Sequence, residues 1–295
     1  MSIRPNCWLS SRTTDLSETI AETLDEGERR LAETLTTSRL EAECLLTHVI
    51  KKSRSYLRAW SENPIQASDR NQYLKLIEQR AAGIPLAYLL GYREFWSRSF
   101  KVDENVLIPR AETEVLMEQA LERINAETRG VMELGIGSGA LVISLALERP
   151  GIQFIGTDLS SGALKVSEEN LRLHSVSNVL LRQGHWFDAI TEQELFDLII
   201  SNPPYIREDD PHVGMGDLRF EPKSALISGP IGLEDIESIV MAAPRHLHPG
   251  GALLLEHGHD QSEAVTELFR KHGFTQINCH PDLLGHNRVV SGVWP

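Results

Sequence analysis

Residues 131–158 read VMELGIGSGALVISLALERPGIQFIGTD. The segment opens on a short apolar run, Val131–Leu134, of the length and composition of a buried strand. Three glycines at alternate positions follow, and then apolar residues with helical periodicity over 139–148. A second strand-like run, Gln153–Gly156, leads to Asp158. Strand, glycine turn, helix and strand in that order predict a βαβ unit with two parallel strands. In such sheets, ligands bind at the carboxyl ends of the strands.

The pattern continues downstream. Val179–Leu181, Phe196–Ser201, Ala252–Glu256, Gln276–Cys279 and Val289–Val293 are strand-like, with helical patterns at about 161–173, 233–246 and 260–272. Alternation of this kind predicts an α/β domain with helices on both faces of the sheet. The last two strands are joined only through Pro281–Asn287, too short for a parallel crossover, so they are expected to pair antiparallel. Upstream, Glu112–Ile124 reads as an amphipathic helix. Residues 88–109 gather Tyr88, Tyr92, Phe95, Trp96 and Phe100 and read as a hairpin or extended connection. Before residue 85 the periodicity is helical: Leu16, Ile20 and Leu24, then Leu40, Cys44, Leu45 and Val49 after Ser38 as cap, then Ser68–Ala82 closed by Gly83 and Pro85. The stretch before residue 25 is polar and expected to be partly disordered.

Two local constellations are candidates for chemistry. In Gly135-Ile136-Gly137-Ser138-Gly139 the absence of Cβ atoms lets backbone approach a ligand closely. The spacing is Gly-x-Gly-x-Gly, not the dinucleotide fingerprint Gly-x-Gly-x-x-Gly. Asp158, at the end of the next strand, suits either the two hydroxyls of a ribose or the N-cap of the following helix. The glycine loop upstream favours ribose. The second constellation is Asn202-Pro203-Pro204-Tyr205, directly after strand 196–201. Two prolines fix φ and remove two backbone donors, so the bend is stiff. The Asn202 side-chain oxygen and the Pro203 carbonyl become two fixed acceptors for the hydrogens of a planar –NH2 group, with Tyr205 packing against that plane.

Composition narrows the setting. The chain of 295 residues has a formal net charge of -13, which argues against autonomous nucleic-acid binding. Three cysteines, Cys7, Cys44 and Cys279, at wide spacings form neither a disulfide framework nor a metal motif. His257 and His259 lack a third ligand at metal spacing, so no metal is expected and they read as structural. Trp60 and Trp96 read as packing residues. Met1–Thr14 lacks the apolar core of a signal peptide, and a reducing cytoplasm is the expected location. The loop from Ile206 to Ile231, rich in Asp, Gly and Pro, is long enough to suggest a function, and protein docking is the expected one.

Gly135–Gly139, Asp158 and Asn202–Tyr205 together resemble class I S-adenosylmethionine methyltransferases that modify planar nitrogens. Pro85–Gly91, Arg93–Trp96, Leu107–Arg110 with Thr113-Glu114, Arg219–Pro222 and Leu253–Gly258 further resemble the HemK-like release factor glutamine methyltransferases. The resemblance implies a seven-stranded Rossmann-like methyltransferase domain with a small all-helical N-terminal domain. The domains expected are a helical substrate-recognition domain over 1–85, a β-hairpin linker over 86–109 and the methyltransferase domain over 110–295. It implies S-adenosylmethionine contacts at Gly135, Ile136, Gly137, Ser138, Gly139, Asp158, Trp186 and Asn202, with S-adenosylhomocysteine as product. Asn202, Pro203, Pro204 and Tyr205 would grip the substrate, with Asn202, Pro203 and Tyr205 catalytic. The implied partner is a class I peptide chain release factor, methylated on the glutamine of Gly-Gly-Gln. A monomer is expected, without direct contact to nucleic acid or membrane. Where the family carries Asp before the first glycine this chain has Glu133, and where it often carries Asp before the tryptophan this chain has His185, which puts an acidic contact near the adenine in doubt. Rival readings are a ribosomal-protein glutamine methyltransferase, for which His is expected in place of Phe220, and an adenine-N6 methyltransferase.

Overall fold

The computed structural model describes residues 18–295, which fall into two compact units divided between Leu89 and Leu90. The readings of Leu16, Cys7 and the segment Met1–Thr14 lie outside the described residues.

The first unit is helical. Helix α1 (Ile20–Leu31) begins in the polar stretch expected to be disordered. A reciprocal cap fixes its start: Glu22 N donates to Thr19 Oγ1, and Thr19 N donates to Glu22 Oε2 at 2.8 Å. Helix α2 (Ser38–Ile50) is preceded by Thr37 in the cap position rather than Ser38. Helix α3 (Arg54–Ala59), too short to show a period, starts at Ser53, whose hydroxyl accepts from Tyr56 N. Helix α4 (Ala67–Ala81) ends before Gly83, which takes φ +98°. Pro85 does end α4, but it also stands just ahead of a further short helix, α5 (Leu86–Leu90). Leu24, Leu31, Leu45, Leu46, Tyr73 and Ile77 are buried in this unit. Trp60, read as packing, is 54% exposed.

The second unit starts with a hairpin of β1 (Tyr92–Phe95) and β2 (Arg98–Lys101). Its two turn residues, Trp96 and Ser97, both have positive φ, the geometry that matches the twist of the strands. The hairpin expected as a linker is integral to this unit. Phe95 and Phe100 share a core with Leu116, Val131 and Leu198. Lys101 N donates to Asn170 Oδ1 at 2.7 Å, and Asn170 Nδ2 donates back to the Lys101 carbonyl.

Next come helix α6 (Thr113–Arg123) and the alternating region: β3 (Gly130–Leu134), α7 (Ala140–Glu148), β4 (Gln153–Asp158), α8 (Ser161–Leu173), β5 (Val179–Gln183), β6 (Phe196–Ser201), α9 (Glu234–Ala242), β7 (Leu247–Glu256), α10 (Ser262–Lys271), β8 (Thr275–Pro281) and β9 (Asn287–Val293). The seven strands β3–β9 form one sheet in the order β5-β4-β3-β6-β7-β9-β8. Strands β3 to β7 are mutually parallel, and β9 is antiparallel to both β7 and β8. The chain moves outward from β3 towards β5, then returns to place β6 on the other side of β3. The β3/β6 pair is therefore the switch point, with Leu134 opposite Ser201 at its carboxyl end. The glycine loop leaves β3 there and Asn202 leaves β6 there, so the sheet brings the two sequence motifs together.

Candidate active site

A cavity of about 520 Å³ lies at this switch point. Gly135, Gly137, Asp158, Trp186, Asn202 and Pro204 line it, together with Asn105–Leu107, His185, Asp235 and residues of the 222–227 segment. Its volume falls in the range of small-molecule sites, roughly 300–1,000 Å³.

The glycine loop owes its shape to residue type. Gly135, Gly137 and Gly139 have φ of +67°, +53° and +77°, which disfavour any side chain. A Cβ on Gly135 would come within 3.2 Å of the Trp186 ring. The intervening residues face inward: Ile136 and Ser138 are each 4% exposed, and neither they nor Gly139 line the cavity. Beneath the loop, Glu133 is buried and accepts from Val142 N at 2.8 Å. Burial raises its carboxyl well above the usual range, against the pull of that hydrogen bond.

Asp158 does not cap α8. That role belongs to Ser160, whose hydroxyl accepts from Ala163 N. The Asp158 carboxylate accepts from Gly137 N at 2.9 Å and from Ser160 N at 2.8 Å, and faces the cavity. Burial raises its pKa, and the two backbone bonds oppose the rise. Trp186 adopts φ +45°, and its indole Nε1 donates to Asp235 Oδ1 at 3.3 Å. Asp235 thus puts a carboxylate on the cavity wall beside His185, from a helix distant in sequence.

A second, smaller cavity of about 210 Å³ adjoins the same bend. It is lined by Asn202, Pro203, Tyr205, Leu107, Arg110 and residues 206, 218, 225 and 226. Asn202 lines both cavities; the two prolines divide, Pro204 to the larger and Pro203 to the smaller. Asn202 Nδ2 donates to Thr113 Oγ1 at 3.1 Å, which leaves Oδ1 as the free acceptor. The Tyr205 hydroxyl donates to Glu256 Oε1 at 3.4 Å, and Gln261 Nε2 donates to the Tyr205 carbonyl at 3.0 Å. Burial and the neighbouring Glu256 hold the Tyr205 phenol well above its usual pKa. Glu256 itself is 1% exposed, and burial pushes its carboxyl up to about 7.

The long loop 206–231 is built rather than featureless. Three turns of 3-10 helix, Pro211–Gly214, Gly216–Phe220 and Lys223–Ala225, run through it, and Ile206 bridges to Ile227. Glu221 anchors its return: its carboxylate accepts from Ile108 N at 3.0 Å and from Arg110 Nη2 at 2.6 Å. Sequence reasoning missed Asp235, Gln261, Asn105 and Val106, which carry no local motif, and placed Leu107 within a segment of the resemblance without assigning it a role. It read His257 as structural; the ring is buried, Nδ1 pairs with the Gly258 carbonyl, and burial lowers its pKa. Trp96 packs against the main core as expected. Among the described residues no three His, Cys, Asp or Glu side chains converge to hold a metal, and no helix is long and apolar enough to cross a membrane.

Comparison with known proteins places this geometry. The family described as PrmC N-terminal domain matches residues 22–91, and that described as Methyltransferase domain matches residues 126–283. A release factor glutamine methyltransferase of Xylella fastidiosa (strain Temecula1) is 46% identical over 258 residues, spanning 87% of this chain and 94% of the relative. One of Salmonella typhimurium is 42% identical, spanning 86% of this chain and 91% of the relative. The solved structure of a methyltransferase from Pyrococcus furiosus superposes with a TM-score of 0.50 at 17% identity, covering 75% of this chain and 96% of that one, which is a likeness of fold.

Proposed function

The chain belongs to the release factor glutamine methyltransferase family, and on that premise we infer that it transfers a methyl group from S-adenosylmethionine to the side-chain amide nitrogen of a release-factor glutamine. The observation that carries the reading is the position of Asn202, on the shared wall of a ligand-sized cavity and a smaller one.

The larger cavity fits the cofactor. Its loop presents backbone unobstructed by Cβ atoms, and Asp158 presents a carboxylate where two hydroxyls of a ribose can be received. Gly135, Gly137, Asp158, Trp186 and Asn202 would hold it, with Ile136, Ser138 and Gly139 shaping the loop from beneath. When bound, S-adenosylmethionine supplies an electrophilic methyl on its sulfonium. The smaller cavity is below the size of a whole small-molecule site and suits one planar side chain.

An amide nitrogen is a poor nucleophile because its lone pair is delocalised. Asn202 Oδ1 and the Pro203 carbonyl accept the two amide hydrogens and stabilise positive charge as it develops on nitrogen. The Pro-Pro bend keeps both acceptors fixed, so little reorganisation is needed during reaction. Tyr205 closes over the planar group and excludes water. After transfer, the surplus proton on the amide nitrogen is acidic enough to leave to water.

The glutamine of a Gly-Gly-Gln motif in a class I release factor is the proposed acceptor, and the helical unit of residues 18–89 the proposed recognition domain. A monomer in the cytoplasm is part of the same reading, supported by wide cysteine spacing and a formal net charge of -13. The test is transfer of labelled methyl to purified release factor, ribosomal protein and DNA in parallel. Label should appear in release factor and vanish when its Gly-Gly-Gln glutamine is changed to alanine. Asn202→Ala should lower kcat by about 10²–10³ while cofactor affinity is largely kept, as for loss of one preorganised polar contact. Turnover near that of the unaltered enzyme would refute the role of Asn202.

A further inference from the structure

Two acidic side chains, Asp158 and Asp235, line the larger cavity, and no Lys or Arg among the described residues joins them. The cofactor read into that cavity is a cation overall, with a sulfonium and an ammonium against one carboxylate. Asp158 has its part at the ribose; Asp235 has none. It lies in the first turn of α9, where the helix dipole favours acids, and Glu234 and Glu237 share that turn. The Glu234 carboxylate folds back to accept from Ile231 N and Leu233 N. Of the three, Asp235 alone lines the cavity. Its Oδ1 accepts from the Trp186 indole at 3.3 Å, and its Oδ2 has no hydrogen-bond partner among the described residues.

Position decides which part of the cofactor Asp235 meets. Asp158 ends β4, on one side of β3, and Asn202 follows β6, on the other. With the ribose at Asp158 and the methyl presented to Asn202, the sulfur lies towards β6. The amino-acid chain leaves that same sulfur, so its ammonium is only a few bonds away, whereas the adenine leaves the far side of the ribose. Asp235 belongs to the β6 side. Its N–H donates to Ser228 Oγ at 2.9 Å, and Ser228 N donates to the carbonyl of Ile206, which directly follows the Asn202–Tyr205 bend. The indole extends the connection to β3, since a Cβ on Gly135 would come within 3.2 Å of its ring.

We propose that Asp235 binds the α-ammonium group of S-adenosylmethionine, through the carboxylate oxygen that the Trp186 indole leaves open. The proposal rests on the reading of the larger cavity as the cofactor site. An ammonium carries three N–H donors and can meet a carboxylate oxygen directly; a sulfonium carries none. The indole fixes the carboxylate by one oxygen and leaves the other for the ligand.

The experiment compares the full chain with its Asp235→Asn variant, which removes the charge and keeps an acceptor for the indole. Calorimetry measures Kd for three ligands without any turnover. S-adenosylmethionine carries both sulfonium and ammonium. S-adenosylhomocysteine keeps the ammonium and has a neutral sulfur. 5′-Methylthioadenosine keeps the base, the ribose and the sulfur but lacks the amino-acid end, so it also checks that the cavity is intact. Asp235→Asn should weaken the first two alike, by about 10- to 100-fold, the worth of one hydrogen bond to a charged group. Methylthioadenosine should bind the variant as it binds the unaltered protein. Three results would overturn the proposal. Unchanged affinity for all three ligands removes Asp235 from binding. An equal loss for methylthioadenosine moves its effect to the base, the ribose or the shape of the cavity. A loss confined to S-adenosylmethionine assigns it to the sulfonium instead. Failure of the unaltered chain to bind S-adenosylmethionine defeats the underlying cofactor reading, whereas binding there beside any of those three results defeats only this inference.

Discussion

Replacing Glu221 with alanine should unfasten the wall shared by both cavities. The Glu221 side chain has no solvent exposure, whereas that of Arg110 is 31% exposed. One carboxylate oxygen takes the Arg110 guanidinium at 2.6 Å and the other takes Ile108 N at 3.0 Å. Breaking a fully buried ion pair from one side costs about 3–5 kcal/mol. Arg110 can recover part of its hydration, so roughly 2 kcal/mol is the appropriate share here. The orphaned Ile108 N–H adds about 1–3 kcal/mol, because its bond lies in the interior. A total of about 3–5 kcal/mol corresponds to a fall in Tm of roughly 10–15 °C for a unit of this size. Glu221→Gln keeps an acceptor for Ile108 N and should lose roughly half as much. Since Leu107 and Pro222 line the larger cavity, cofactor affinity should fall along with stability. Scanning calorimetry with and without cofactor reads both effects. A Tm within ~2 °C of the unaltered protein, with unchanged cofactor Kd, would refute the argument.

Two other outcomes follow from the same geometry. The Glu256 carboxyl, ordinarily near 4.5, is raised to about 7 in the folded protein. Between those values the folded chain holds a proton that the unfolded chain has lost, so this group makes stability fall as pH rises through the window. The cost at pH 8 is about 3 kcal/mol. Glu256→Gln should therefore melt higher than the unaltered protein at pH 8, with a much smaller difference at pH 5; equal Tm values at both pH values would contradict the assignment. Deleting residues 208–216, none of which lines either cavity, should raise KM for the release factor and leave cofactor Kd alone. An equal loss of both would remove the docking role from the loop tip.

Much of the architecture was legible because local patterns and tertiary contacts agree. The alternation from β3 to α10 and the short β8–β9 connection each predicted the pairing that forms. The boundaries were less legible. Helix α1 starts at Ile20 because a Thr19–Glu22 cap outweighs the polar composition around it. The hairpin reads as a linker in one dimension, yet Phe95 and Phe100 insert into the core beside β3 and β6. Trp60 was misread because a short helix such as α3 carries no periodicity to say which face is covered.

The sequence alone determined which residue types meet the ligand: glycines where φ is positive, a carboxylate after β4, and a proline-stiffened bend after β6. Those depend on covalent geometry, which is local. Only the tertiary structure decided how they are held. Asp235 reaches the Trp186 indole from α9, Glu221 ties the 105–110 strap to the loop, and Thr113 backs the Asn202 amide. These bonds join chain positions 49, 113 and 89 residues apart. The strand order that places β6 beside β3 brings such groups within hydrogen-bond reach, and no local pattern records a contact of that range.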